Sequence, residues 1–211
     1  MRTRAPLLGE ALPVELMNTV WADRDGVHDA LDEPAAALAW LRAVAPGLDH
    51  PGLDHVSLAD LDALPPGDLD QLTRRLVRLR DALRRLAAEA TGDPRSAAAS
   101  ATSDLQAAVT AVNEAAGSLP RWSALVWPPG GPPTLQTRTS GRAAAAIVSA
   151  IAEEAVVLFG QDDRLRLRAC QGPGCVLYFL KNHPRREWCS AACGNRARGA
   201  RHYRRHRRPP A

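Results

Sequence analysis

The chain has 211 residues, of which 45% are hydrophobic and only 4% aromatic, and a net charge of +4. That length holds one medium domain, or one domain with a small appended module, and an apolar fraction supplied mainly by alanine and leucine favours helices. No run of about 18 apolar residues occurs, and the N-terminal MRTRAPLLGEALPVEL has too short an apolar stretch for a signal peptide; these features argue against a membrane protein and predict a cytoplasmic one with reduced thiols.

In chain order, PVELMNTVWADRDGVHDAL opens with an apolar stretch and passes into a polar loop. Its residues Asn18, Trp21, Asp23, Arg24, Asp25 and His28 are candidates for lining a small-molecule pocket. Asp32 and Pro34 suit the N-cap and first turn of a helix running to about Val44, with Leu38, Leu41 and Val44 inward and Pro46-Gly47 as its stop. Ser57 caps a short helix whose Leu58, Leu61 and Leu64 share a face. The strongest periodicity follows: Leu69, Leu72, Leu76, Leu79, Leu83 and Leu86 repeat at helical spacing, with Gly92 and Pro94 beyond the end. This seam fits either a core-facing stripe or a homodimer contact. An alanine-rich helix over about 97–116 comes next. RWSALVW and PTLQTRT then flank PPGGP and predict a β-hairpin. Ser140 caps a last body helix, GRAAAAIVSAIAEEAVVLF, apolar nearly all round and so expected to be the most buried. RLRLRAC reads as a short strand or as a linker, and the domain boundary is placed near residue 162, giving a helical body (1–162) and a C-terminal module (163–211).

All four cysteines fall in that module: Cys170, Cys175, Cys189 and Cys193. Two short-range thiol pairs joined by a loop suit tetrahedral zinc, because each pair spans one edge of the tetrahedron, and four thiolates leave no open position for catalysis. Gly172, Pro173 and Gly174 supply a tight turn between the first pair. CVLYFL predicts a strand, and Ser190 caps a helix that starts near Cys189, whose N-terminus favours thiolates. His202 and His206, four apart, are a competing ligand pair that would leave two cysteines unused; His183 reads as a loop or phosphate-contacting residue. The expected fold is mainly α (α+β): a helical body with a small hairpin, and a treble-clef-like zinc finger.

Charge divides along the same line. Residues 164–208 hold thirteen Lys/Arg against the single acid Glu187, a net of +12, whereas residues 1–163 hold fourteen against 22 acids, a net of −8. The predicted last helix puts Arg198, Arg201, Arg204, Arg205 and Arg208 in a stripe about 120° wide, with Tyr203 opposite and expected to pack on the module or the body. Lys181, Arg185 and Arg186 on the finger loop are further candidate phosphate contacts. A basic footprint set apart from an acidic body points to a polyanion as partner.

The segment WCSAACGNRARGARHYRRH, following CQGPGC, resembles the CGNR zinc-finger family of bacterial proteins, and PVELMNTVWADRDGVHDALDEPAAALAWL resembles the start of the ABATE domain found upstream of that finger. The resemblance implies a stress-related transcription regulator with the finger as its DNA-binding element. It also implies Cys170, Cys175, Cys189 and Cys193 as ligands of one structural zinc. Asn195 and Arg196 carry the family signature, and they either touch nucleic acid or brace the finger. RNA is the alternative partner for an arginine stripe. The body would act as a sensory or dimerisation domain, with a small-molecule effector as a further partner. No nucleophile–base pair, phosphate loop or metalloprotease motif appears in it, so no catalytic role is expected.

Overall fold

The computed structural model describes residues 5–45, 58–96, 99–139 and 143–206. The expected stop at Pro46-Gly47, the caps at Ser57 and Ser140, and Arg208 lie outside the described residues.

Helix α1 (Leu12–Met17) is buried along its whole length. A hairpin of two three-residue strands follows, β1 (Val20–Ala22) and β2 (Val27–Asp29). Strands this short carry little alternation, which hides them in the sequence. Helix α2 (Pro34–Val44) buries Ala37, Trp40, Leu41 and Val44, while Leu38 is half-buried. Its N-cap position is Glu33, not Asp32, and the Glu33 side chain makes no cap hydrogen bond; a proline in the first turn already lacks one of the N–H groups a cap would satisfy. The short α3 (Leu58–Asp62) adds Leu61 to the core.

Helix α4 (Pro66–Thr91) is the spine of the body. Its leucine seam faces inward: Leu72, Leu76, Leu79 and Leu83 are buried against α1 and the helices that follow, so the chain's own core covers it. The helix closes at Gly92, whose left-handed backbone (φ +58°) lets Asp93 N–H reach back to the Ala88 carbonyl at 3.0 Å. Helix α5 (Leu105–Ala116) begins later than the expected 97, because Asp104 caps it by accepting from Ala107 N–H at 2.6 Å. The described part of the preceding segment is held instead by side chains: Ser100 Oγ donates to the Asp81 carbonyl (2.5 Å) and Arg85 Nε to that of Ser103 (2.8 Å).

Strands β3 (Arg121–Val126) and β4 (Thr134–Thr139) form the expected hairpin around Pro128–Gly131, in unbroken six-pair register. Helix α6 (Ala143–Gly160) is buried on every side from Ala146 to Ala152, packed on α1, α4 and α5. It is the one described helix long and apolar enough to cross a bilayer, and here that composition serves an all-round core position.

A 3-10 turn (Asp162–Arg166) leads into β5 (Leu167–Ala169), which pairs antiparallel with β6 (Tyr178–Leu180); α7 (Ala191–His206) ends the described chain. The basic module is not set apart from the body as expected. Successive residues of a strand face opposite sides, and around β6 each side meets a different core. Tyr178, with Leu167 of β5, enters the body's hydrophobic cluster, whereas Leu177 and Phe179 join a second cluster around the four cysteines. One short strand is thus shared by both.

Candidate metal centre and nucleic-acid interface

The knuckle starts from a backbone loop. Cys170 N–H bonds the Leu177 carbonyl (3.0 Å) and Cys175 N–H that of Gly172 (2.9 Å), with Gly174 at φ +71° completing the turn. Gly172 is required sterically, since a Cβ there would lie 3.0 Å from the Cys193 Cβ and 3.3 Å from its Sγ. On the other side Ser190 caps α7: its Oγ accepts from Cys193 N–H at 3.3 Å. Cys189 therefore sits just before the helix and Cys193 in its first turn.

All four cysteines are buried and free, with their Sγ atoms within 4.8 Å of one another. Cys175 and Cys189 sulfurs are 3.8 Å apart, and those of Cys189 and Cys193 3.4 Å. Four thiolates about 2.3 Å from one zinc would stand roughly 3.8 Å apart, so the arrangement fits the ion. Crowding splits the thiols. Hydrogen bonding with Cys175, then Cys189, brings Cys170 down to about 6, and hydrogen bonds also lower Cys193, whereas the same contacts push Cys175 and Cys189 up. Four negative sulfurs this close need a cation, which is the condition a structural zinc site meets. His202 takes no part in the cluster, and the side chain of His206 lies outside the described ones.

The signature Cys193-Gly194-Asn195-Arg196 resolves into four jobs. Cys193 is a ligand. Gly194 runs beneath the Trp188 ring, where a Cβ would come within 3.1 Å of Cδ1. Asn195 Oδ1 accepts from Arg198 Nη2. Arg196 Nη2 donates to Cys193 Sγ at 3.0 Å, so its charge is aimed at a ligand sulfur.

Arginines that the sequence reading did not single out fasten this centre to the body. Arg95 Nη1 donates to the carbonyls of Cys170 (2.8 Å) and Cys175 (2.9 Å), while its other side-chain nitrogens grip Asp93 (2.6 and 2.7 Å). Burial raises the Asp93 carboxyl, but hydrogen bonds from Arg95 and Tyr178 outweigh it and hold the group below its ordinary value. Arg84, 2% exposed, donates to the Met17 carbonyl at 2.9 Å and reaches that of Val176 at 3.5 Å, its guanidinium 5.4 Å from the Tyr178 ring. Spacing signals only that Arg84 is buried, not what it meets: Arg80 and Arg84 continue the i,i+4 row of Leu72 and Leu76 on the buried face of α4, whereas Arg95 lies beyond the helix and has no such mark.

Two of the residues singled out in the sequence have surroundings that it did not reveal. Arg186 is bound into the fold: Nη2 pairs with the buried Glu10 at 2.5 Å and Nη1 donates to the Leu180 carbonyl at 3.1 Å, with the group 4.9 Å over the Phe179 ring. Tyr203 does not pack; it is 71% exposed, because α7 has by then run beyond the module. Arg198, Arg201 and Arg204 stand exposed on α7, Arg201 lying 5.9 Å from the Trp188 ring, and Arg185 is exposed on the loop while Lys181 is half-buried. Arg205 lies in the last turn of α7.

The six loop residues have different surroundings, and none of them lines the two cavities found among the described residues. Asn18 is fully buried and exchanges two hydrogen bonds with the Tyr178 backbone, at 2.9 and 3.0 Å. Trp21 packs into the cysteine cluster. His28 stacks on Trp21 and bonds Asp23 at 2.7 Å, which lowers the Asp23 carboxyl. Arg24 and Asp25 stand exposed in the β1–β2 turn. A cavity of about 540 Å³ opens elsewhere, lined by Leu31, Pro34, Asp70, Arg74 and Val77.

Comparison with protein families agrees with this architecture. The ABATE family model, described as "putative stress-induced transcription regulator", matches residues 10–162. The chain belongs to the ABATE family. The CGNR zinc-finger model matches residues 166–206, so this ABATE protein carries its finger where the four thiols converge. No curated protein matches the chain.

Proposed function

We propose that this ABATE-family protein is a bacterial, cytoplasmic DNA-binding transcriptional regulator, a binding protein without a catalytic role, whose zinc finger presents α7 to the phosphate backbone. One observation carries the reading. The zinc cluster anchors the first turn of α7, and Arg198, Arg201 and Arg204 stand exposed beyond it, on a module of net charge +12 beside a body of −8. Guanidinium groups on a braced helix suit phosphate contacts. The cavity beside α2 and α4 supports the body as a sensory domain for a small-molecule effector.

The test is duplex binding across a salt series with the zinc-loaded chain. Each lost phosphate contact removes roughly 0.9 from the slope of log affinity against log salt. Changing Arg198, Arg201 and Arg204 together to alanine should therefore flatten the slope by roughly 2–3, with zinc content and helicity unchanged. An unaltered slope overturns the assignment to α7, and tighter binding to structured RNA than to any duplex overturns DNA as the partner.

A further inference from the structure

The β3–β4 hairpin is largely exposed along its described side chains. Its strands pack on each other and on no helix to a comparable extent. Leu125 and Leu135 are directly opposite in the register, hence on one face, and are 71% and 77% exposed. Trp127, beside the turn, is 68% exposed. An isolated two-stranded hairpin is only marginally stable in water, and exposed apolar side chains clustered like this mark a contact surface.

We propose that this leucine face meets the same face of a second copy of the chain, so that two hairpins stack into a small sandwich at a dimer interface. Three observations select a copy of itself as the occupant. Arg121 holds the end of this face away from the turn, and from there to the turn its register positions are uncharged, carrying Ser123, Leu125, Leu135 and Thr137; an isologous contact centred on the leucines brings no like charges together there. Leu125, Leu135 and Trp127 offer roughly 400 Å² of apolar surface per chain, so a pair buries about 800 Å² from these side chains alone, and backbone and neighbouring residues bring it toward the ~1,000 Å² a specific interface needs. The hairpin also precedes α6 in the chain and the finger follows it, and the two ends of that helix are roughly 27 Å apart for 18 residues, so the pairing face and the finger attach at opposite ends of one helix. The α4 seam, the other candidate dimer contact, is already covered by the body.

This inference rests on the regulator reading proposed above and adds a dimerisation role to its body, yet it is tested without DNA. Sedimentation equilibrium of the zinc-loaded full chain should give the mass of two chains, and Leu125→Glu with Leu135→Glu should return the mass of one with zinc stoichiometry unchanged. Hydrogen exchange on the wild type gives a second reading that needs no variant: amide protection over 121–139 should rise with protein concentration. A wild type that stays monomeric, a variant that stays dimeric, or concentration-dependent protection only outside 121–139 each overturns the proposal. A monomer that binds DNA would refute the pairing alone, and a dimer without DNA affinity the regulator reading alone.

Discussion

Tyr178 stands where the two cores meet. Its ring is fully buried, its hydroxyl donates to Asp93 at 2.8 Å, and Arg84 and Arg95 lie 5.4 and 5.2 Å from the ring centre. Burial first, and then the Asp93 carboxylate, push its phenol from 10 to about 12. A group whose pKa is raised on folding contributes stability that is complete below its unfolded value and is lost as pH climbs through the folded one. Tyr178 should thus contribute about 2–3 kcal/mol below pH 10 that disappears by about pH 12. The chain has two tyrosines, so absorbance at alkaline pH should show one phenol titrating near 12 in the folded protein and near 10 in denaturant. Tyr178→Phe should remove both the late phase and that part of the alkaline destabilisation. Arg196 permits a second test. As a brace on the Cys193 sulfur, its change to alanine should weaken zinc about 10–100-fold in competition with a chromophoric chelator, and Arg196→Lys should recover part of the loss. Unchanged zinc affinity would return Arg196 to the nucleic-acid face.

Among the elements, what could be read in advance depended on how local the deciding contact was. The α4 stripe was visible because leucine spacing reports a buried face directly. Arg80 and Arg84 share that face but are charged, and charge suggests solvent. What buries Arg84 is a set of carbonyls 67 and 92 residues away, and Arg80 pairs with Asp29, 51 residues away, contacts with no local mark. Likewise α5 starts at a cap rather than where alanines begin, since Asp104 competes for the first N–H groups. The β3–β4 hairpin was legible from its PPGGP turn, whereas three-residue β1 and β2 were not. In the metal centre the cysteines and the Ser190 cap were readable from spacing, and the sharing of β6 between two cores was not, because alternation says that a strand has two faces but not what each one meets.

For the whole molecule, the shared strand makes zinc a body-wide matter. Leu167 and Tyr178 belong to the body's core, yet the knuckle holds them in place. Chelation should therefore loosen the body as well as the finger, lowering its thermal midpoint by roughly 5–15 °C, as expected when several kcal/mol are lost from a chain of this size. Circular dichroism with and without chelator checks this, and an unchanged helical midpoint would show that the body stands alone. Some properties were decided within a few residues of sequence: four thiols in two short pairs, a capped helix after them, a leucine stripe, and a charge split that survives any folding. Which arginines are free was decided only by the tertiary structure. A guanidinium can meet a phosphate or clamp buried carbonyls, and the difference depends on whether a distant oxygen is brought within about 3 Å. Folding turns Arg84, Arg95 and Arg186 inward as clamps and aims Arg196 at a cysteine sulfur, while Arg198, Arg201 and Arg204 stay exposed because no buried oxygen among the described residues is brought to them: Arg198 bonds Asn195 and Arg201 lies beside the Trp188 ring at the surface.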